Sequence, residues 1–94
     1  MTVLVCGVNS KQAQRVKAAV GNDILIAGSD ESPKAWRRHI GGATVAVVWT
    51  RFCSHNHVEA LQTKDVPLRF VYGGLPSVID AVNFALNHKE ACHG

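Results

Sequence analysis

The segment Thr44–Thr50 reads Thr-Val-Ala-Val-Val-Trp-Thr, and no charged side chain interrupts it. A strand with one face in water alternates apolar and polar residues. A strand apolar on both faces must be covered on both sides, as at the centre of a parallel sheet clothed by helices. Parallel neighbours cannot be joined by a tight hairpin; they need crossovers, usually helical. Strand and helix should therefore alternate along the whole chain.

They do so four times. Thr2–Cys6 is a short β-branched run closed by Gly7. Asn9 or Ser10 then offers an N-cap. Ala13, Val16, Ala19 and Val20 follow at helical spacing, and Gly21-Asn22 ends that helix. Ile24–Ala27 is a second strand, turned by Gly28-Ser29-Asp30. Pro33 stands where a first helical residue should, ahead of a short basic helix, Lys34–Ile40, stopped by Gly41-Gly42. After the third strand, Thr44–Thr50, Ser54 can cap a helix to about Lys64. Val66–Tyr72 is a fourth strand, with Gly73-Gly74 after it. Pro76 opens a last helix whose stripe is Leu75, Val78, Ile79, Val82, Ala85 and Leu86.

Right-handed crossovers turn this pattern into one α/β domain over residues 1–94: a small doubly wound, four-stranded parallel sheet of order 2-1-3-4, with helices on both faces. The order reverses between the first and third strands. Ligands of such sheets bind outside the strand carboxyl ends at that switch point, which here gathers residues 6–10, 28–30, 50–57 and 72–75.

Ninety-four residues make one domain with a thin core, and an open sheet leaves two edges. Both favour a homodimer, either simple or exchanging the last strand and helix. No apolar run approaches the roughly 20 residues of a membrane span, and Met1-Thr2-Val3-Leu4-Val5 lacks a basic leader. A cytoplasmic protein without membrane contact is expected. Cys6, Cys53 and Cys92 include no Cys-x-x-Cys, so no disulfide framework is expected. A net charge of +3 permits an anionic partner without demanding one.

The loop Cys6-Gly7-Val8-Asn9-Ser10 is neither a dinucleotide fingerprint nor a P-loop. It is a tight turn, or a helix N-terminus able to hold an anion. The most chemical stretch is Thr50-Arg51-Phe52-Cys53-Ser54-His55-Asn56-His57. His55 and His57, two apart, do not share a helix face, and a four-ligand zinc set is lacking. One histidine turned into the crevice fits better, and His55, on the first helical turn, is the candidate metal ligand or base. A capping or solvated histidine is the alternative. Cys53, just before a helix, is a candidate for a lowered thiol pKa and for Cys53–His55 nucleophilic catalysis. Cys6 reads as a buried strand residue. Lys34, Arg37, Arg38 and Arg51, with Trp36 among them, form a basic group that suits phosphates, carboxylates or nucleic acid, or is simply a solvated helix face. Trp36 is expected over the crevice or at a dimer interface, and Trp49 in the core. In the tail His88–Gly94, expected to fray, Lys89 stands where covalent haem attachment would need a cysteine.

The second half, VAVVWTRFCSHNHVEALQTKDVPLRFVYGGLPSVIDAVNFAL, resembles the bacterial domain-of-unknown-function family 2325. The likeness lies in Thr50-x-x-x-Ser54-His55 after a hydrophobic strand, in the Val66-Pro67 strand entry, and in the closing helix Ser77–Leu86. The first half matches by topology alone. Family members often begin with a Gly-Gly loop, where this chain has Cys6-Gly7-Val8. Many carry a histidine near the end of the second strand, where this chain has Ala27-Gly28.

The resemblance implies a non-enzymatic cofactor protein, with haem b the expected ligand for diatomic-gas binding, haem carriage or redox sensing. Haem needs an apolar slot, axial ligands and cations for its propionates. Phe52, Val8, Trp36 and Leu75 would line the slot beside Gly7. His55 would ligate iron, with Cys53, Cys6 or His39 as alternatives. Arg51, Arg37 or Arg38 would meet the propionates, and a dimer would supply room. The first alternative is a regulatory or interaction module for a small anion or a partner chain. The second is nucleic-acid binding, favoured only by mild basicity, and the third is a Cys53–His55 enzyme.

Overall fold

A computed structural model describes residues 2–87; the tail discussed above lies outside them. The chain runs β1 (Val3–Val8), α1 (Ser10–Val20), β2 (Ile24–Gly28), α2 (Pro33–Ile40) and β3 (Val45–Trp49). A single 3-10 turn (Thr50–Phe52) follows, then α3 (His55–Leu61), β4 (Leu68–Val71) and α4 (Leu75–Asn87). The four strands form one parallel sheet in the order β2-β1-β3-β4. This is the doubly wound α/β architecture that the alternation requires.

Capping fixes the helix starts. Asn9 caps α1, and Gln12 returns the bond to the Asn9 amide, a reciprocal capping box. Ser32 caps α2 ahead of Pro33, and Ser54 caps α3. Three boundaries differ from the sequence pattern by two residues or more. β1 runs on through Gly7 to Val8 instead of closing at Cys6. α3 ends at Leu61 instead of near Lys64, and the Thr63 hydroxyl bonds back to the Ala60 carbonyl in the turn that follows. β4 begins at Leu68 instead of Val66, because Pro67 has no amide hydrogen to donate to a ladder.

The two-residue period of the strands divides the core. Val3, Val5, Val45, Val47 and Trp49 lie on one face, under Val16 of α1 and Val78 and Val82 of α4. Leu4, Cys6, Ala46 and Val48 lie on the other, under Trp36 and Ile40 of α2 and Leu61 of α3. Every residue of β3 is buried, as its apolar run demands, whereas β4 buries only Val71. Gly7 sits at φ +99°, and a Cβ there would stand 2.9 Å from the Trp49 carbonyl. Only glycine lets β1 and the end of β3 approach so closely. Among the described residues, no helix is long and apolar enough to cross a membrane.

Candidate functional site

The strand carboxyl ends divide into a β2 side and a β4 side. On the β2 side, the Trp36 indole is fully buried and donates Nε1–H to the Gly28 carbonyl at 2.8 Å. The His57 ring meets it edge-on, centroids 4.4 Å apart. His57 Nε2 lies 2.8 Å from the Glu31 carbonyl oxygen, and Nδ1 lies 2.6 Å from Ser54 Oγ. A carbonyl only accepts, so Nε2 carries the proton, and in the neutral ring Nδ1 accepts from the Ser54 hydroxyl. One imidazole thereby ties the β2–α2 loop to the start of α3.

Glu31 closes the same loop on itself. One carboxylate oxygen accepts from the Gly28 amide, and the other lies 3.0 Å from His39 Nε2. Burial pushes the Glu31 pKa upward. The Gly28 hydrogen bond, the His39 contact and the nearby Arg38 charge outweigh that and hold the carboxyl below its ordinary range.

On the β4 side, the Trp49 indole donates to the Gly73 carbonyl at 2.9 Å, and the Thr50 hydroxyl donates to the Val71 carbonyl at 3.1 Å. Phe52 packs edge-on against Trp49, centroids 4.9 Å apart, with the Arg51 guanidinium 5.9 Å from the Phe52 centroid. The polar bonds here also hold loops in place. Beside the exposed Arg51 and Arg69, three aromatic side chains face water: Phe52 is 45% exposed, Phe70 39% and Tyr72 76%.

Several expectations change. His55 does not turn into the crevice. Its side chain is 85% exposed, with Nε2 3.0 Å from Glu59 one helical turn on. The inward histidine is His57, because α3 packs chiefly on α2 through the face carrying His57 and Leu61, four residues apart. Cys53 has no lowered pKa. Burial pushes its thiol up, and its Sγ contacts the Thr50 carbonyl at 3.7 Å. Burial pushes Cys6 up much further, with Cys53 and Glu31 nearby adding to it. Cys53 and His55 are thus not assembled as a nucleophile and base.

At the first loop, the tight turn leads into a helix start that is already capped from within, which leaves less room for the alternative of a bound anion. Asn9 and Gln12 occupy the α1 start, and Asp30 and Glu31, with Lys17 as the one cation, line the adjoining hollow of about 350 Å³. Arg37 and Lys34 face a shallow groove of about 410 Å³ between α2 and α3, where Glu59 offsets their charge.

Among the described side chains expected to line a haem slot, Trp36 stands apart from Val8 and Leu75. Trp36 belongs to the core beneath α2 and α3, whereas Val8 and Leu75 belong to the core beneath α1 and α4, so the sheet separates them. Gly7 serves the β1–β3 approach described above. Among the described residues, no three His, Cys, Asp or Glu side chains are grouped to hold a metal ion. The residues missed in the sequence are Glu31, Ser54 as a partner of a ring nitrogen, and His57. The one available signal was the His57–Leu61 spacing, which puts that histidine on the apolar face of α3. Comparison with protein-family models, curated proteins and solved structures gives no match to this chain.

Proposed function

We propose that this protein is a non-catalytic interaction module whose working surface is the open β4 edge and the aromatic side chains beside it. One observation carries the reading: Phe70 and Tyr72 remain 39% and 76% exposed at the rim of an otherwise well-covered sheet. Exposed apolar side chains grouped on one strand face are the kind of surface that can serve as an interaction site. The strand-end polar groups support it from the other direction, since Glu31, His57, Trp36, Trp49 and Thr50 all hold loops.

Thermal melts in dilute solution test this. Tyr72→Ser should leave the melting temperature of the dilute chain unchanged, and His57→Ala should lower it. Equal losses from both would assign Tyr72 to the fold and remove the reading.

A second reading keeps haem b, on one specific observation. His55 presents its imidazole to solvent within four residues of Arg51 and of half-exposed Phe52, a surface that a second copy would complete. Added hemin should then give a sharpened Soret band that His55→Ala abolishes. An unchanged hemin spectrum would dismiss this second reading and leave the first intact.

A further inference from the structure

The β4 edge has a main-chain polarity that can be worked out. The carbonyl of Pro67 accepts from the Ala46 amide at 3.0 Å. The carbonyls of Val71 and Gly73 accept from Thr50 Oγ1 and Trp49 Nε1. All three point toward β3. The N–H and C=O of a strand residue point to the same side, and the side alternates along the strand. Leu68, Phe70 and Tyr72 therefore aim both groups away from the sheet. Their side chains share the α2/α3 face, since Phe70 stands opposite Val48 in the β3–β4 register. That part of the face is poorly covered, because α3 packs chiefly on α2.

We propose that this edge pairs antiparallel with β4 of a second copy, about a two-fold axis at Phe70, joining two sheets into one of eight strands. The proposal rests on the interaction-surface reading and names its occupant. Large apolar side chains at 68, 70 and 72 read the same in both directions about Phe70, so the strand is its own complement. A two-fold contact requires that self-complementarity.

Charge selects the register. Centred on Phe70, Phe70 faces its own copy, Leu68 faces Tyr72, and Arg69 faces Val71. Centred on Arg69, two guanidiniums would stand directly opposite, which is destabilising. Centred on Val71, Arg69 would face Gly73, whose φ of +111° has already left strand geometry, and Leu68 would be unpaired. In the Phe70 register Arg69 needs no acidic partner, as its guanidinium lies 4.9 Å from the Phe84 ring centroid on its own chain. The opposite edge is less suited. Leu25, 37% exposed, is the one large hydrophobic that β2 presents among the described residues.

Sedimentation of the full chain over a range of concentrations tests the proposal. The wild-type mass should rise from the 10.1 kDa monomer to twice that. Phe70→Glu and Tyr72→Glu should each stay monomeric with unchanged far-UV circular dichroism. Phe70→Leu should still associate. In a mixture of isotope-labelled and unlabelled chains, Leu68 methyls should show nuclear Overhauser contacts to the Tyr72 ring of the other copy.

A chain that stays monomeric at all concentrations overturns the proposal, yet leaves the interaction-surface reading to its own melting test. So does a dimer indifferent to both glutamate variants. Intermolecular contacts between Val48 and Phe70, the signature of an exchanged β4 and α4, overturn it as well.

Discussion

Trp36 and Trp49 each donate an indole N–H to the carbonyl of a glycine at a strand end, Gly28 as the last residue of β2 and Gly73 just after β4. Around Trp36 the surface is closed. The indole is fully buried, His57 packs on its edge, and Glu31 and His39 bond across the loop. On the β4 side, where Trp49 is the anchor, Phe52 is open to water beside it, and Phe70 and Tyr72 are open on the other face of the sheet. The difference follows from helix length and placement. α2 lies over β2 and β1, α3 packs chiefly on α2, and the seven residues of α3 do not extend that cover across β4. A shared strand-end anchor thus supports a finished fold boundary on one side and an unfinished one on the other. Under the proposed reading, the second is the side that offers surface to a partner.

The comparison would break first at Trp36. Trp36→Ala removes a buried indole and one of the two donors to the Gly28 carbonyl, leaving the Glu31 amide as the other, and should cost about 3–5 kcal/mol. Against a typical total of roughly 5–15 kcal/mol, that brings the chain close to unfolding in a urea titration. Gly7→Ala comes next. Its Cβ would meet the Trp49 carbonyl at an unfavourable φ, so a loss of roughly 1–3 kcal/mol is expected from the same titration. The two histidines sharpen the contrast within one helix. His57→Ala should cost about 1–2 kcal/mol through its lost hydrogen bonds. His55→Ala should stay within about 0.5 kcal/mol; a reversed ranking would show that α3 is rotated relative to α2.

The smallest effect is the pH dependence of the β2–α2 loop. Glu31 has a lower pKa folded than unfolded, so its ionised form favours folding at neutral pH. That contribution is complete above the unfolded value and is lost as pH falls through the folded one. Glu31→Gln should flatten the acid limb of stability against pH, and an unchanged limb would place the titrating group elsewhere.

The sheet order was legible because few arrangements satisfy Thr44–Thr50, and because Pro33 and Ser54 mark helix starts whatever packs around them. The site was legible only as a neighbourhood. His55 and His57 are equivalent in local chemistry. Which one turns inward depends on how α3 lies against Trp36, a tertiary contact that no spacing within residues 50–57 encodes. The direction of the Cys53 shift was misread for a related reason. Position before a helix favours a thiolate, but burial against the core disfavours it more. Val66–Tyr72 reads as a strand from its apolar residues, but nothing in that run tells that Phe70 and Tyr72 stay open to water. Their exposure depends on the reach of α3, which is fixed at Leu61.

Amide hydrogen exchange at Leu68, Phe70 and Tyr72, followed from dilute to concentrated protein, probes the open side against the closed one. In dilute solution these outward-facing amides should exchange fast, while the Gly28 amide, bonded to the Glu31 carboxylate, exchanges slowly. On concentrating the protein, the three β4 amides should slow and Gly28 should not change. Slow exchange of the β4 amides in the dilute chain would mean that the edge is already covered from within, and the distinction between a closed and an open side would fall.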